Sequence, residues 1–189
     1  MKHKIKVREA RAPGPEEALD FILFEHLKHR EMCNALDQLA DAPTFDAAEA
    51  TRLAEFIRVD LTMHVFDEEE DFFPLLRQRC APEDQIDAAL ERFDREHEAD
   101  RDLSAQVRII LCTAVEQSTP PSQMPGARET LRAFAQAQRR HMMLENGVLI
   151  PLARRRLTRD DLAALGRRLA DRHRPKTPAA IELAHEHFE

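Results

Sequence analysis

The stretches His64-Val-Phe-Asp-Glu68 and His141-Met-Met-Leu-Glu145 decide how this chain folds, because the second repeats the chemistry of the first. Each has a histidine followed four residues later by a glutamate, and each glutamate is followed six residues later by a proline, Pro74 or Pro151. On a helix, positions i and i+4 lie one above the other on the same face. Each copy can therefore present an imidazole and a carboxylate side by side, and two such pairs favour a site for two metal ions.

Apolar residues at three- and four-residue steps predict four long helices and a shorter fifth one. Because a proline inside a helix lacks a backbone donor, we expect a kink or a stop near Asp71, just before Pro74. The first predicted helix runs from Pro15 to about Ala40, and the second from near Asp46 into residues 72–79. The third begins after Ala81-Pro82, and the fourth runs from the end of a loop at residues 118–126 through Leu152. The short fifth helix runs from Thr158 to about Arg172.

The helical pattern predicts an all-α fold, an up-down four-helix bundle with a short additional C-terminal helix. The chain has only 4 glycines, which disfavours a β architecture rich in tight turns. We divide its 189 residues into a flexible N-terminal arm at 1–14, the bundle at 15–157, and a C-terminal helix and tail at 158–189.

Charge and composition exclude several classes of function. A net charge of −7 argues against broad binding to nucleic acid or to anionic membranes, both of which need a basic surface. No run of 18 apolar residues predicts a transmembrane helix, and no apolar segment follows the basic N-terminus to form a secretion signal. Three widely spaced cysteines indicate reduced thiols, so we expect a cytoplasmic protein. The absence of tyrosine excludes a tyrosyl-radical enzyme.

Each of the four long helices carries a histidine on its apolar stripe. Each of these histidines follows an apolar residue by seven positions, as His26 follows Leu19 and His97 follows Leu90. Glu68 and Glu145 lie on the same stripes, where an unpaired carboxylate is costly. Imidazoles and carboxylates that meet in a bundle core need a cation between them. The predicted metal ligands are His26, His64, Glu68, His97, His141 and Glu145.

Simpler interpretations exist for single residues. A lone core histidine is usually a hydrogen-bonded packing residue, and a lone glutamate in the run 67–71 is usually solvated, but neither explains the duplication. His29 is the main rival to His26 and could supply a fifth imidazole. Asp100 and Arg101 fit either hydrogen bonds to ligand groups or a surface ion pair. Four histidines do not lie on an apolar stripe, and we assign them to the surface: His3, His173, His185 and His187.

The ligand chemistry restricts the choice of metal. Six side chains exceed what one tetrahedral zinc ion takes, and mixed imidazole and carboxylate ligands suit iron, manganese or zinc. If both glutamates bridge, each of two ions has two imidazoles and two carboxylate oxygens. An oxo or hydroxo bridge then leaves one open position per ion for a diatomic molecule or peroxide.

The order His, His-x-x-x-Glu, His, His-x-x-x-Glu on four helices resembles the hemerythrin-like (HHE cation-binding) domain over about residues 16–157. The resemblance implies a non-haem di-iron centre with four histidines and two bridging glutamates, in which zinc or manganese could replace iron in purified protein. The local strings that support it are Phe24-Glu25-His26, Phe73-Pro74, Glu96-His97 and Ile150-Pro151.

Two positions depart from the oxygen-carrying hemerythrins of invertebrates. Arg101 lies four residues after His97, where those proteins have a second histidine, and Asn146 lies where they have a bridging aspartate. The resemblance therefore points to bacterial di-iron proteins that handle nitric oxide stress and iron–sulfur repair, and to iron or oxygen sensors. It implies a protein that binds or senses O₂, NO or peroxide. One alternative is a di-iron enzyme that reduces NO or H₂O₂ with an unidentified electron donor. The other is a zinc-loaded or metal-free interaction bundle.

Overall fold

The computed structural model describes residues 17–174, which are almost entirely helical and contain no strand. The all-α prediction is therefore confirmed. The helices are α1 (Ala18–Asp41), α2 (47–79), α3 (Ile86–Gln117), α4 (127–156) and α5 (Arg159–Arg172), with short 3₁₀ turns at Pro82–Asp84 and Pro121–Gln123. The predicted arm at 1–14, the tail after Pro175, and His3, His185 and His187 lie outside the described residues.

The four long helices pack in a cycle, in which α1 contacts α2, α2 contacts α3, α3 contacts α4, and α4 contacts α1. Their apolar side chains form two clusters, one around Phe73 and Leu90 and the other around Leu53 and Leu111. On α1 and α3 the first cluster precedes the second along the chain, whereas on α2 and α4 the order is reversed. This alternation supports the up-down arrangement, which stays a prediction. On each of the four long helices, buried polar residues lie between the two clusters.

Both long even-numbered helices contain a π-helical turn that begins at the glutamate of the repeated motif. The turns are Glu68–Phe72 and Glu145–Leu149. In each turn, the N–H of the next residue, Phe73 or Ile150, donates to the glutamate carbonyl. A proline follows at once, and the wider turn before it accommodates the missing donor and the ring. The helix continues past Pro74, so a stop near Asp71 is wrong, and the irregularity there is a π turn.

The extra residue in each π turn shifts the apolar face of the helix by one position. Regular spacing predicts Leu75 and Val148 on the core stripe. The structure instead buries Leu76 and Leu149 completely, leaves Leu75 partly buried, and exposes 46% of Val148. These two expectations are wrong because a strict helical period does not include a π turn.

Helix α5 begins at the predicted N-cap. The Thr158 hydroxyl accepts a hydrogen bond from the Asp161 N–H, and the Asp161 carboxylate accepts one from the Thr158 N–H. This reciprocal pair is a capping box, which satisfies backbone donors that the first helical turn leaves open. The helix then buries Leu165 and Leu169 in the same apolar cluster as α1.

The C-terminal end of α5 binds the acidic run of α2. Arg172 pairs with both Asp67 and Asp71, and His173 Nε2 lies 2.6 Å from Asp67 Oδ2. Asp67 and Asp71 are buried, so this part of the run is not solvated. The assignment of His173 to the surface is wrong: it is half-buried, because a carboxylate 106 residues earlier in the chain binds it.

In the described part of the chain, every helix is too short or too polar to cross a membrane.

Truncation of Leu169 tests whether α5 is part of the folded core. Leu169→Ala removes a completely buried side chain and should lower the free energy of unfolding by about 2–5 kcal/mol. Leu27, which is 56% exposed, provides the matched control. Leu27→Ala should change the free energy of unfolding by less than about 0.5 kcal/mol. Urea unfolding followed by circular dichroism measures both; equal effects would show that α5 does not contribute to the core.

Candidate metal centre

The structure brings all six predicted ligand residues together in the interior between the two apolar clusters. They form two groups that share Glu68, and within each group the ligand atoms lie within 4.8 Å of one another. All six side chains are buried. The first group is His26, His64, Glu68 and Glu145, and the second is Glu68, His97 and His141. The helices α1 and α2 thus supply one pair of imidazoles, and α3 and α4 supply the other.

Each glutamate faces both pairs of histidines. Glu68 Oε1 lies 3.2 Å from His64 Nε2, and Glu68 Oε2 lies 3.4 Å from His97 Nε2. Glu145 Oε2 lies 3.3 Å from His26 Nε2 and 3.5 Å from His141 Nε2. Both carboxylates are therefore placed so that they can bridge two cations, one at each histidine pair.

Buried polar atoms of the centre have no hydrogen-bond partner in the described part of the protein. They are both side-chain oxygens of Glu68, both side-chain oxygens of Glu145, and Nε2 of His26. Their approaches to imidazole nitrogens are longer than the roughly 2.7–2.9 Å of a charge-assisted hydrogen bond. A buried carboxylate without a partner is strongly unfavourable. The donor set therefore fits cations, which would satisfy every one of these atoms.

Three of the four histidines are held by an acceptor at their outer nitrogen. When Nδ1–H donates to such an acceptor, the lone pair is left on Nε2, which faces the centre; this is the usual arrangement for histidines that bind metals. The Nε2 atoms of His97 and His141 lie only 3.0 Å apart, so two lone pairs there would repel unless a cation or proton lies between them. The outer contacts are His26 to Asn146 at 2.7 Å, His97 to Glu69 at 2.9 Å, and His141 to Glu96 at 3.2 Å.

The three acceptors Asn146, Glu69 and Glu96 were not predicted as site residues. Each is the immediate sequence neighbour of a predicted ligand, but an adjacent position on a helix points away from the core stripe. Only Asn146 carried a signal, because it replaces an acidic residue of the resembled family. In the structure it reaches across from α4 to α1 and holds His26.

Arg101 and Asp100 take different roles. The Arg101 guanidinium donates to both oxygens of Glu69 at 2.8 Å, so it supports the acceptor of His97, although its side chain is 59% exposed. Asp100 accepts a 2.7 Å hydrogen bond from Gln138. Arg101 therefore forms the surface ion pair, and its partner Glu69, which is not a predicted ligand, in turn contacts His97.

His29 lies beside the first group but is not a member of it. Its ring is 1% exposed and packs edge-on against His64, with ring centroids 4.4 Å apart. Burial, together with the neighbouring His64 and His26, holds the pKa of His29 well below its usual value. The geometry thus separates His26, which faces both glutamates, from His29, which does not.

A cavity of about 240 Å³ opens on one side of the centre. Its lining includes His29, His64, His97 and His141, and apolar side chains such as Ile57, Leu61 and Met142. Since one water occupies about 30 Å³, the cavity has room for several small molecules. A small ligand can therefore reach the imidazoles from this side.

The buried charges of the centre shift the pKa values of its own members. Burial alone would lower the pKa of His26, but the close contacts with Glu145 and Glu68 and their negative charge outweigh it and raise the pKa to about 10. Burial is likewise outweighed at His141, mainly by Glu145, and its pKa is raised to about 9. Burial would raise the pKa of Glu68, but the charge of His64 and contacts with other histidines hold it well below its usual range. The Glu68 carboxylate is therefore anionic at neutral pH.

A family model of the hemerythrin HHE cation-binding domain matches residues 17–153 of the chain. This span includes all six predicted ligands and their three outer acceptors, and it ends before α5. No curated protein matches the chain.

The raised histidine pKa values predict how the stability of protein prepared without metal depends on pH. His26 and His141 have folded pKa values of about 10 and 9, above the unfolded value of about 6.5. Their stabilising effect is complete below about pH 6.5 and is lost as the pH rises to about 9–10. The melting temperature should therefore fall between pH 7 and pH 9.5. His26→Asn should flatten this slope, and a wild-type melting temperature that does not change over this range would contradict the assignment.

Proposed function

Since this chain belongs to the hemerythrin HHE cation-binding domain family, we propose that it holds a carboxylate-bridged di-iron centre in an up-down four-helix bundle. The centre binds or senses O₂, NO or peroxide in the response to redox, iron or nitrosative stress. The three cysteines are unpaired, which supports a reducing, cytoplasmic location. The proposed ligands are His26, His64, Glu68, His97, His141 and Glu145.

The observation that carries this proposal is the set of buried carboxylate oxygens without partners. Glu68 turns one oxygen towards the first histidine pair and the other towards the second, and Glu145 lies between His26 and His141. One cation cannot satisfy two imidazole pairs and both carboxylates in tetrahedral geometry. Two cations with higher coordination numbers can, and iron accepts this mixture of nitrogen and oxygen ligands.

A pair of iron ions supplies open coordination positions and redox chemistry for a small oxidant. The protein contributes the environment. Asn146, Glu69 and Glu96 fix the imidazole orientations, the apolar clusters exclude water from both ends of the centre, and the cavity gives access on one side.

A di-iron enzyme that reduces NO or H₂O₂ is the second candidate. Burial raises the pKa of Asp100, which lines the cavity and accepts a hydrogen bond from Gln138. A carboxyl group with a raised pKa can deliver the protons that such a reduction consumes. Steady turnover with an added reductant favours the enzyme, whereas reversible binding of O₂ or NO without turnover favours the sensor.

Metal analysis tests the central proposal. Wild-type protein purified without added metal should contain about two iron ions per chain and show an oxo-to-iron charge-transfer band. Glu145→Ala should lose iron and thermal stability, because it removes a bridging carboxylate and leaves buried imidazoles without a partner. Glu70→Ala, at an exposed position of the acidic run, should keep both.

Two results would contradict this proposal. Less than one iron per chain in the wild type, without the band, would favour the zinc-loaded or metal-free bundle. Full iron content in Glu145→Ala would show that the ligand assignment is wrong.

The outer acceptor of His26 provides a separate test. Asn146→Ala should weaken iron binding about 10–100-fold, because the imidazole loses the bond that orients it. Asn34→Ala is the control, since Asn34 is exposed and its amide bonds Arg139 instead of a histidine. Competition with a chelator measures both affinities; equal values for the two variants would rule out the orienting role.

A further inference from the structure

His29 is a buried imidazole for which the proposed centre has no use as a ligand. Its Nε2 is buried and has no hydrogen-bond partner among residues 17–174. Its ring packs edge-on against Phe56 at 5.5 Å and against His64 at 4.4 Å, between centroids. It lies outside both groups of mutually close ligand atoms.

The position of His29 relates it to the cavity. The cavity lining includes His29 together with His64, His97 and His141, so a molecule bound in the cavity can contact both the centre and the His29 imidazole. Apolar neighbours such as Ile57 and Leu61 also line the cavity and offer a ligand no hydrogen bond. The other polar groups of the lining include Thr62, Ser104 and Gln138. Among the lining imidazoles, His29 is the one that belongs to neither group of proposed ligands.

A buried polar group without a partner is unfavourable, and an apolar side chain of similar size would pack at this position without that cost. A packing role alone therefore does not account for histidine here. A group kept at a cost to stability is typical of a functional site.

We propose that His29 is a ligand-recognition residue: its Nε2–H donates a hydrogen bond to the outer atom of a small molecule bound in the cavity. The molecule is of the class that has an acceptor atom at the end away from the centre, such as peroxide or azide. The inference rests on the proposed di-iron function and extends it by assigning a residue that discriminates among ligands. Such a bond favours ligands with an acceptor at their outer end over those without one.

Azide titration of the iron-loaded protein tests this role, because azide is a small anion with acceptor atoms at both ends. His29→Leu should bind azide about 5–10-fold more weakly, which corresponds to the loss of one hydrogen bond. Its iron content should equal that of the wild type, and its melting temperature without iron should be equal or higher. His29→Gln keeps a donor near the Nε2 position and should recover most of the affinity.

Leu61→Met serves as the matched control, since Leu61 lines the same cavity and the exchange conserves volume and apolarity. It should leave azide affinity and iron content unchanged. If Leu61→Met weakens azide binding as much as His29→Leu does, the effect comes from the shape of the cavity and the inference is overturned.

Each other outcome also decides the question. Loss of iron from His29→Leu would make His29 a metal ligand, and a lower melting temperature with unchanged azide affinity would make it a packing residue; both overturn the inference. If His29→Leu does not fold, weak azide binding by a folded, iron-loaded His29→Gln would equally overturn it. Wild-type protein that holds no iron would overturn the proposed function itself, and the inference with it.

Discussion

The burial of two carboxylates among four imidazoles is the constraint on which the rest of this structure depends. Glu68 and Glu145 are both buried and have no hydrogen-bond donor, so their charge can be compensated only at the histidines or by cations between them. This requires four helices to meet at one level. The two apolar clusters on either side provide the favourable burial that keeps the helices together while the polar layer lies between them.

Much of this layer follows from local spacing. The four-residue step within each repeated pair and the seven-residue step from an apolar residue to each histidine place the side chains on core-facing stripes, and a helix preserves such steps regardless of its partners. The capping box at Thr158 is equally local, since it needs only Asp161 three residues later. For this reason the all-α class and the meeting of the six residues could be predicted from the sequence alone.

The features that the sequence did not reveal depend on contacts between distant residues or on a change of helical period. The partners of His173 and of Asn146 lie 106 and 120 residues away, and no local pattern connects them. Val148 is exposed and Leu149 buried because the turn that begins at Glu145 contains one residue more than an α turn. His29 shares part of a face with His26, and only the three-dimensional arrangement places it in the cavity wall.

The π turn at Glu68 has contacts on two sides, and these contacts connect α5 to a centre that it does not enter. On the inner side, Glu68 faces the histidines. On the outer side, Asp71 of the same turn and Asp67 immediately before it bind Arg172 of α5. A π turn is less regular than an α turn, and these ion pairs add contacts that fix its outer side. Since the family match ends at residue 153, the support from α5 lies beyond the shared domain. A movement of α5 would reach the Glu68 carboxylate through one turn of α2, without any contact between α5 and the four proposed histidine ligands.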